Sequence, residues 1–193
     1  MKRAWWVVGL ALAVTCCCVL ASRRAEPIPA TVEAVAFSPN GGSRLGYGDN
    51  DCADTVVEAI GHAKFSILVQ AYNFTSEPIA EALIAATKRG VSVKIIGDKS
   101  VPSEHGGKAA ECADAGIVIL IDHKHHIAHN KVIVIDDQTV ITGSFNWTES
   151  AEKENAENLL VLHSDKLAAI YTANWNTHAE HSVSAGQLGE PRK

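Results

Sequence analysis

The sequence has few cysteines, few prolines and no excess of basic residues. Of its 193 residues, 5 are cysteine and 6 are proline, which excludes a disulfide-dense small scaffold and a proline-rich disordered chain. Lys and Arg total 17 against 22 Asp and Glu, for a formal net charge of -5. A protein with this charge does not coat nucleic acid by bulk attraction, so any polyanion site must be local.

What the chain does have is the composition of a globular protein. Hydrophobic residues make up 47% and charged residues 20%, and these values predict a buried core. Because domains most often hold about 100 to 150 residues, this length gives room for one α/β domain and little more.

The N-terminal segment differs from the rest of the chain. Two basic residues precede an uncharged apolar run over residues 4–22, and two arginines follow it. This order is typical of a signal peptide, here residues 1–21, with Ala21 as the small residue before cleavage. An uncleaved membrane anchor is the alternative, because the run lies near the lower length limit for crossing a bilayer. Both alternatives predict a domain outside the cytoplasm, periplasmic or secreted, joined through a linker over residues 22–30.

Two cysteines remain if residues 1–21 are removed. Cys52 and Cys112 could form a disulfide in an oxidising compartment, or they could be separate buried thiols, since both lie in predicted helices with apolar neighbours. Neither has a C-x-x-C partner. A zinc ribbon or a thioredoxin-type site therefore finds no support.

Strands and helices alternate through the first part of the domain. Hydrophobic periodicity predicts strands at 31–37, 65–71, 91–96 and 117–121, and helices at 51–63, 77–89 and 105–115. Strands joined by short helical crossovers favour parallel pairing with helices on both faces. Next come a hairpin over 131–142, a strand at 158–163 and a last helix with Ser164 as its N-cap.

The expected fold class is therefore α/β, with a mixed, largely parallel sheet flanked by helices on both faces. The domain is predicted over residues 31–180, and residues 181–193 are predicted to be a flexible tail.

Residues that carry chemistry cluster after position 128. His129 and Lys131 differ by two, so on a strand they share a face and place an imidazole beside an ammonium, which suits an anionic substrate. Ser144 and Asn146 also differ by two, and Gly143 before them allows a close backbone approach. Imidazole, ammonium, hydroxyl and amide together can surround a phosphoryl group.

Asp136 completes the pattern H-x-K-x4-D-x6-G-S-x-N. It lies at an odd offset from Lys131, which predicts a structural task in a turn or hydrogen bond rather than catalysis. The whole pattern resembles the motif of the phospholipase D superfamily, and in particular its single-motif branch of exported Nuc-like bacterial endonucleases. The resemblance extends to residues 70–75 and 155–160, so it covers nearly all of residues 31–175.

The resemblance implies a metal-independent phosphodiester hydrolase without a cofactor. His129 would form a covalent phosphohistidine, and Lys131, Ser144 and Asn146 would stabilise the phosphoryl group. The resemblance also implies that Glu157 orients the imidazole.

The number of motifs bears on the assembly. His62-Ala63-Lys64 also has the H-x-K spacing, but no Asp or G-S-x-N follows it at the motif's distances, and it is predicted to be a helix end. Longer family members join two motifs into one site. One motif here implies a homodimer with a composite active site.

Three functions are compatible with these residues. The first is a nonspecific endonuclease acting on DNA and, as a further substrate, RNA. The second is a phospholipase D acting on phosphatidylcholine-type lipids, and the third is a non-catalytic module that binds nucleic acid or membrane. All three use the same fold, so the substrate is not fixed by the motif.

Histidines and aromatic side chains near the motif leave further alternatives. Metal ligation by His125 and its neighbours competes with a basic rim, formed with Lys124, that steers a polyanion; the rim is favoured because no suitably placed acid or thiol accompanies the histidines. Tyr72, Phe74 and Trp147 could stack on bases or pack in the core or a dimer interface.

Overall fold

The computed structural model describes residues 26–39 and 51–185. The predicted signal or anchor segment lies outside these residues. Within the described ranges, no helix is long and apolar enough to cross a bilayer. In chain order the elements are β1 (Thr31–Ser38), α1 (Cys52–His62), β2 (Ser66–Ala71), α2 (Glu77–Lys88), β3 (Ser92–Asp98), a short 3-10 helix (Val101–Ser103), α3 (Ala109–Asp114), β4 (Val118–Asp122), β5 (Lys131–Ile135), β6 (Thr139–Gly143), α4 (Glu149–Lys153), β7 (Glu157–His163), α5 (Asp165–Ala179) and β8 (Val183–Ser184).

The eight described strands form one sheet in the order β1-β7-β6-β5-β2-β3-β4-β8. Only the β2–β3 and β3–β4 pairings are parallel; the other strand pairings are antiparallel. The α/β class and the mixed sheet are confirmed, but the expectation of a largely parallel sheet is wrong. Strand β5 lies antiparallel beside β2, and the β5-β6-β7 meander then continues antiparallel to β1.

Helices cover both faces of the sheet, and β5 shows how. Val132 and Val134 pack with Ala168 of α5 on one face. Ile133 and Ile135 join the larger core, which includes α1 and α2, on the other. Because side chains alternate along a strand, an apolar run such as Val132 to Ile135 of β5 is buried on both sides.

Capping residues and glycines set the helix boundaries. The Ser164 side chain accepts a hydrogen bond from the Leu167 backbone N–H at 3.2 Å, which confirms the predicted N-cap of α5. The helix predicted over 105–115 is shorter than expected, Ala109–Asp114. Gly106 has φ 72, a left-handed conformation that interrupts helical geometry before α3.

The two cysteines in the described residues are separate free thiols. Cys52 and Cys112 are both buried, so the alternative without a disulfide describes the structure. Burial raises the pKa of each thiol to about 12. Such thiols are unreactive at neutral pH.

The C-terminal part of the domain extends further than predicted. Val183–Ser184 forms β8 and pairs antiparallel with β4, so residues 183–184 belong to the sheet and not to a flexible tail. Residues 186–193 lie outside the described part of the chain. After α5 the chain thus returns to the sheet, where β8 lies beside the end of β4.

Candidate active site

The first part of the site lies where β5 begins beside the end of β2. Lys131 pairs with Ala71 across the two strands, and its side chain is buried, with only 7% of the residue exposed. Its Nζ donates to the His129 backbone carbonyl at 2.8 Å and lies 5.0 Å from the centroid of the Tyr72 ring. This is a cation–π distance, so the aromatic face stabilises an ammonium that has left most of its water.

His129 presents its ring on the exposed side of this group. The residue is exposed, and its ring centroid lies 4.6 Å from that of Tyr72 with an interplanar angle of 54°. Tyr72 therefore contacts both the imidazole and the ammonium. An accessible imidazole beside a positive charge can approach an anionic phosphorus centre.

Burial lowers the pKa of Lys131, and the negative charge of Glu157 acts in the opposite direction. This electrostatic interaction connects the His129–Lys131 pair with the second part of the site, which lies at the β6–β7 end. A desolvated ammonium interacts strongly with an incoming anion, because little water screens its charge.

The second part of the site forms around the hydroxyl of Ser144. Its Oγ donates to Glu157 Oε2 at 2.5 Å and accepts from the backbone N–H and side-chain amide of Asn158 at 3.1 and 3.2 Å. A hydroxyl has one donor and two acceptor positions. All three are used, so Ser144 connects β6 to β7 and positions Glu157.

Gly143 permits this close approach of the two strands. It pairs with Leu159 of β7, and a Cβ atom at this position would lie 2.1 Å from the Asn158 backbone carbonyl oxygen. No side chain fits there. The motif glycine thus allows β6 and β7 to bring Ser144 and Glu157 together.

Asn146 is held between two core anchors. Its neighbours Phe145 and Trp147 are buried, with ring centroids 5.9 Å apart. The Trp147 indole N–H donates to the Gln70 backbone carbonyl at 3.0 Å. The Oδ1 atom of Asn146 is buried and has no hydrogen-bond partner among the described residues; because this oxygen only accepts, a hydrogen bond to an anionic phosphoryl oxygen would come from the Nδ2 donor of the amide.

The Glu157 carboxylate contacts its neighbours rather than the imidazole. Oε2 accepts from Ser144, and Oε1 accepts from the Asn155 side-chain amide at 3.3 Å. Among the described residues, the Glu157 carboxylate makes these hydrogen bonds and none to His129. Orientation of the imidazole ring by Glu157 therefore stays a prediction.

Asp136 lies at the opposite end of β5 from His129. Its carboxylate accepts from the backbone N–H groups of Lys64, Phe65 and Ser66 at 2.8, 2.7 and 2.9 Å. Its own backbone has φ 54, a turn conformation that Asp tolerates. Asp136 thus fixes the β5–β6 turn to the chain entering β2 and takes no position beside the imidazole. His62 ends α1, as predicted for the second H-x-K.

Two buried acids that sequence reasoning missed hold the loop before His129. Asp98 ends β3 and Asp122 ends β4, and the two residues pair in the parallel register. Asp98 accepts from the Ala128 backbone N–H at 2.7 Å, directly before His129. Burial alone would raise the pKa of Asp98, but hydrogen bonds from Ala128 and Ser100 lower it below its usual range. The signal in the sequence is an acidic residue, Asp98 or Asp122, just beyond each of the two strands predicted at 91–96 and 117–121.

The aromatic residues divide between core and site. Phe74 and Trp147 are 1% exposed, and their backbones form an isolated parallel β-bridge. Both side chains therefore pack in the core and do not offer a face to a base. Tyr72 is half-buried and packs within the site against His129 and Lys131, a position that neither of the two alternatives considered from the sequence included.

Comparison with known proteins agrees with this geometry. The family model described as "Cardiolipin synthase, PLD-like domain" matches residues 56–178. The chain belongs to the phospholipase D superfamily. This is the family that the motif implied.

Two bacterial proteins are similar to this chain. The structure of Nuc from Salmonella typhimurium, a phospholipase D family member, superposes with a TM-score of 0.71 at 38% identity, covering 81% of this chain and 98% of Nuc. A protein named phospholipase D from Rickettsia prowazekii is 46% identical over 124 residues, which are 64% of this chain and 60% of the relative. The match thus spans about three fifths of the Rickettsia protein.

A third relative comes from a eukaryote. A protein named mitochondrial cardiolipin hydrolase from Xenopus laevis is 29% identical over 147 residues, covering 75% of this chain and 70% of that protein. The names of the relatives differ, phospholipase D for the Rickettsia protein and cardiolipin hydrolase for the Xenopus protein.

Proposed function

We propose that this protein is an exported, metal-independent endonuclease that hydrolyses DNA, with RNA as a further substrate. The observation that carries the proposal is the loop leading into His129. Residues 123–127 are exposed at five consecutive positions; His123, Lys124 and His126 form the rim, whereas the His125 ring contacts Asp122. A local basic rim of this length contacts several phosphates of a polymer, although the chain as a whole is acidic.

The proposed first chemical step is transfer of the phosphoryl group to His129. The imidazole nitrogen lone pair attacks phosphorus, a P–N bond forms, and the P–O bond to the leaving oxygen breaks. A protonated His129 of a second copy of the chain gives its proton to that oxygen. The second imidazole is then neutral and ready to act as a base.

The second step returns the enzyme to its starting state. Water attacks the phosphohistidine while the neutral imidazole takes its proton, the P–N bond breaks, and the phosphate product leaves. Lys131 and the Asn146 amide stabilise the negative charge on the equatorial oxygens through both steps. The Tyr72 contacts support this role, because they hold the Lys131 ammonium and the imidazole together.

The proposed assembly is a homodimer with a twofold axis between two copies of His129. The chain carries one complete motif. The other H-x-K sequence, His62 to Lys64, lies at the end of α1 and is not followed by the remaining motif residues. In an isologous contact the same surface meets itself, so each protomer contributes one imidazole. The exposed position of His129 is compatible with such a contact.

Plasmid nicking tests the proposal directly. Wild-type protein is expected to nick supercoiled DNA in EDTA, and His129→Ala is expected to lose the activity. His105→Ala, which changes another exposed histidine, is the matched control and keeps it. Nicking that persists in His129→Ala would overturn the proposal, as would tight DNA binding by the folded wild type without any turnover.

A lipid substrate is the second candidate, and one observation favours it. Ile127 is 47% exposed within the same loop, and relatives carry phospholipase D and cardiolipin hydrolase names. Release of choline from phosphatidylcholine vesicles, lost in His129→Ala and unaccompanied by plasmid nicking, would assign the site to lipid. The reaction chemistry is the same in both cases.

Export is likewise a proposal and rests on the N-terminal sequence. Sequencing the N-terminus of the mature protein, isolated from the producing cell, distinguishes a cleaved signal peptide from a membrane anchor. A chain that begins at position 22 indicates a cleaved signal peptide, whereas an intact Met1 in the membrane fraction indicates an anchor.

A further inference from the structure

Three histidines and one aspartate converge at the carboxyl end of β4. They are Asp122, His125, His178 and His181, and one ligand atom from each lies within 4.8 Å of the others. We propose that these four side chains bind a transition-metal ion, with Zn²⁺ as the best fit, in a structural site separate from the catalytic imidazole.

The distances within this cluster are close to those of a tetrahedral site. Asp122 Oδ2 lies 2.8 Å from His125 Nδ1, 2.8 Å from His178 Nδ1 and 3.3 Å from His181 Nε2. Zn²⁺ with bonds near 2.0–2.1 Å separates its ligand atoms by about 3.3 Å. All distances between the four ligand atoms are within 4.8 Å, so side-chain movements of about 1.5 Å or less would bring them to the spacing that the ion requires.

Hydrogen bonding alone is a poor account of this cluster. Three imidazole nitrogens approach the single Oδ2 atom, while Oδ1 of Asp122 also accepts from the backbone N–H groups of Lys124 and His125 at 2.9 and 3.3 Å. A carboxylate oxygen has two lone pairs, so three donors on one oxygen exceed its capacity. A cation between the oxygen and the three nitrogens satisfies all four groups.

The type of ligand selects the type of metal. Three imidazoles with one carboxylate suit Zn²⁺ and related transition metals and do not suit Mg²⁺ or Ca²⁺, which prefer oxygen ligands. The Asp122 side chain is 0% exposed and those of His178 and His181 are 14% and 18% exposed, whereas that of His125 is 43% exposed. The site is thus mostly enclosed, with access along the His125 side.

The fold brings these ligands together from distant parts of the chain. Asp122 and His125 flank the start of the loop that leads to His129, whereas His178 lies in the last turn of α5 and His181 directly follows that helix. The β4–β8 pairing holds the end of α5 against β4. A bound ion would therefore fix the C-terminal helix to the loop that presents the catalytic imidazole.

Metal content of the intact protein tests the proposal and does not depend on the proposed nuclease activity. Protein dialysed against Zn²⁺ and then against buffer is expected to retain about one zinc per chain by mass spectrometry. The double variant His178→Ala/His181→Ala is expected to lose it. His123→Ala, an exposed histidine of the same loop outside the cluster, is the matched control and retains it.

A second measurement keeps the proposal falsifiable if the double variant does not fold. Titration of metal-free wild type with Co²⁺ is expected to give the visible absorption of a tetrahedral ion, saturating near one equivalent. Removal of the metal is expected to lower the melting temperature, because an ion bound only by the folded state stabilises it. Wild type without retained zinc and without the cobalt spectrum would overturn the proposal, as would equal zinc in wild type and a folded double variant.

Discussion

The Tyr72 ring packs against the His129 imidazole, with ring centroids 4.6 Å apart. The same ring lies beneath the Lys131 ammonium at 5.0 Å. One aromatic side chain at the end of β2 thus positions both the imidazole and the ammonium of the motif. Its position depends on the antiparallel pairing of β2 with β5, which joins segments sixty residues apart in the register Ala71↔Lys131.

Replacing Tyr72 tests this positioning role. Tyr72→Ala removes the surface that orients both groups, and a displacement of about 1 Å can reduce a rate about 100-fold. We expect kcat on bis(p-nitrophenyl) phosphate, a small phosphodiester independent of the natural substrate, to fall by about 10- to 100-fold. Tyr72→Phe keeps the ring and is expected to stay near the wild-type rate. Equal losses in both variants would assign the effect to the hydroxyl and contradict ring packing.

Asp136 is expected to affect stability rather than chemistry. Asp136→Asn leaves a weaker acceptor for the three backbone N–H groups, and Asp136→Ala leaves no acceptor. The free energy of unfolding should therefore decrease in both variants, and more in Asp136→Ala, by about 3 kcal/mol. Asp137→Asn makes the same chemical change at the next turn position, which also has positive φ, and should have little effect. Urea denaturation measures all three. A folded Asp136→Asn that keeps its stability but loses activity would contradict this assignment.

Glu152 predicts a pH dependence of stability. Burial, and then the neighbouring Asp51, raise its pKa from 4.5 to about 8. The folded state therefore holds a proton that the unfolded state releases, so stability is fully present below about pH 4.5 and declines as pH rises toward 8. Glu152→Gln keeps an oxygen for the Ala53 backbone N–H and is expected to be more stable than wild type at pH 8.

The control for Glu152 is a neighbour in the same helix. Glu149 is exposed and pairs with Lys153 across one turn, so Glu149→Gln is expected to leave both the stability and its pH dependence nearly unchanged. Thermal unfolding from pH 5 to 8 compares the two variants. A wild type whose stability changes across this interval no more than that of Glu152→Gln would show that the carboxyl group is already charged in the folded protein.

The local features of the fold were predictable because they depend on neighbouring residues. The apolar run of β5 after Lys131, the turn at Asp136 and the cap at Ser164 follow from hydrophobic runs and side-chain hydrogen bonds. The direction of β5 beside β2 was not predictable, because it depends on which distant strand lies next to it. The same limit hid the Asp122 cluster: His178 and His181 lie more than fifty residues beyond their partner, and only the α5 and β8 contacts bring them together.

A composite site predicts that an inactive chain disables an active one. If each dimer needs a His129 from both copies, a dimer of wild type with His129→Ala lacks either the nucleophile or the acid. After joint unfolding and refolding of equal amounts, about a quarter of the dimers are fully wild type, so activity per wild-type chain should fall about twofold. Excess variant should reduce it further.

Mixing with His105→Ala is the control and should produce no decrease, because that variant keeps the motif. Light scattering before and after mixing establishes that the chains associate. Activity that stays proportional to the amount of wild type, at every ratio of His129→Ala, would mean that one chain holds a complete site. The second proton donor would then have to come from another side chain of the same protomer.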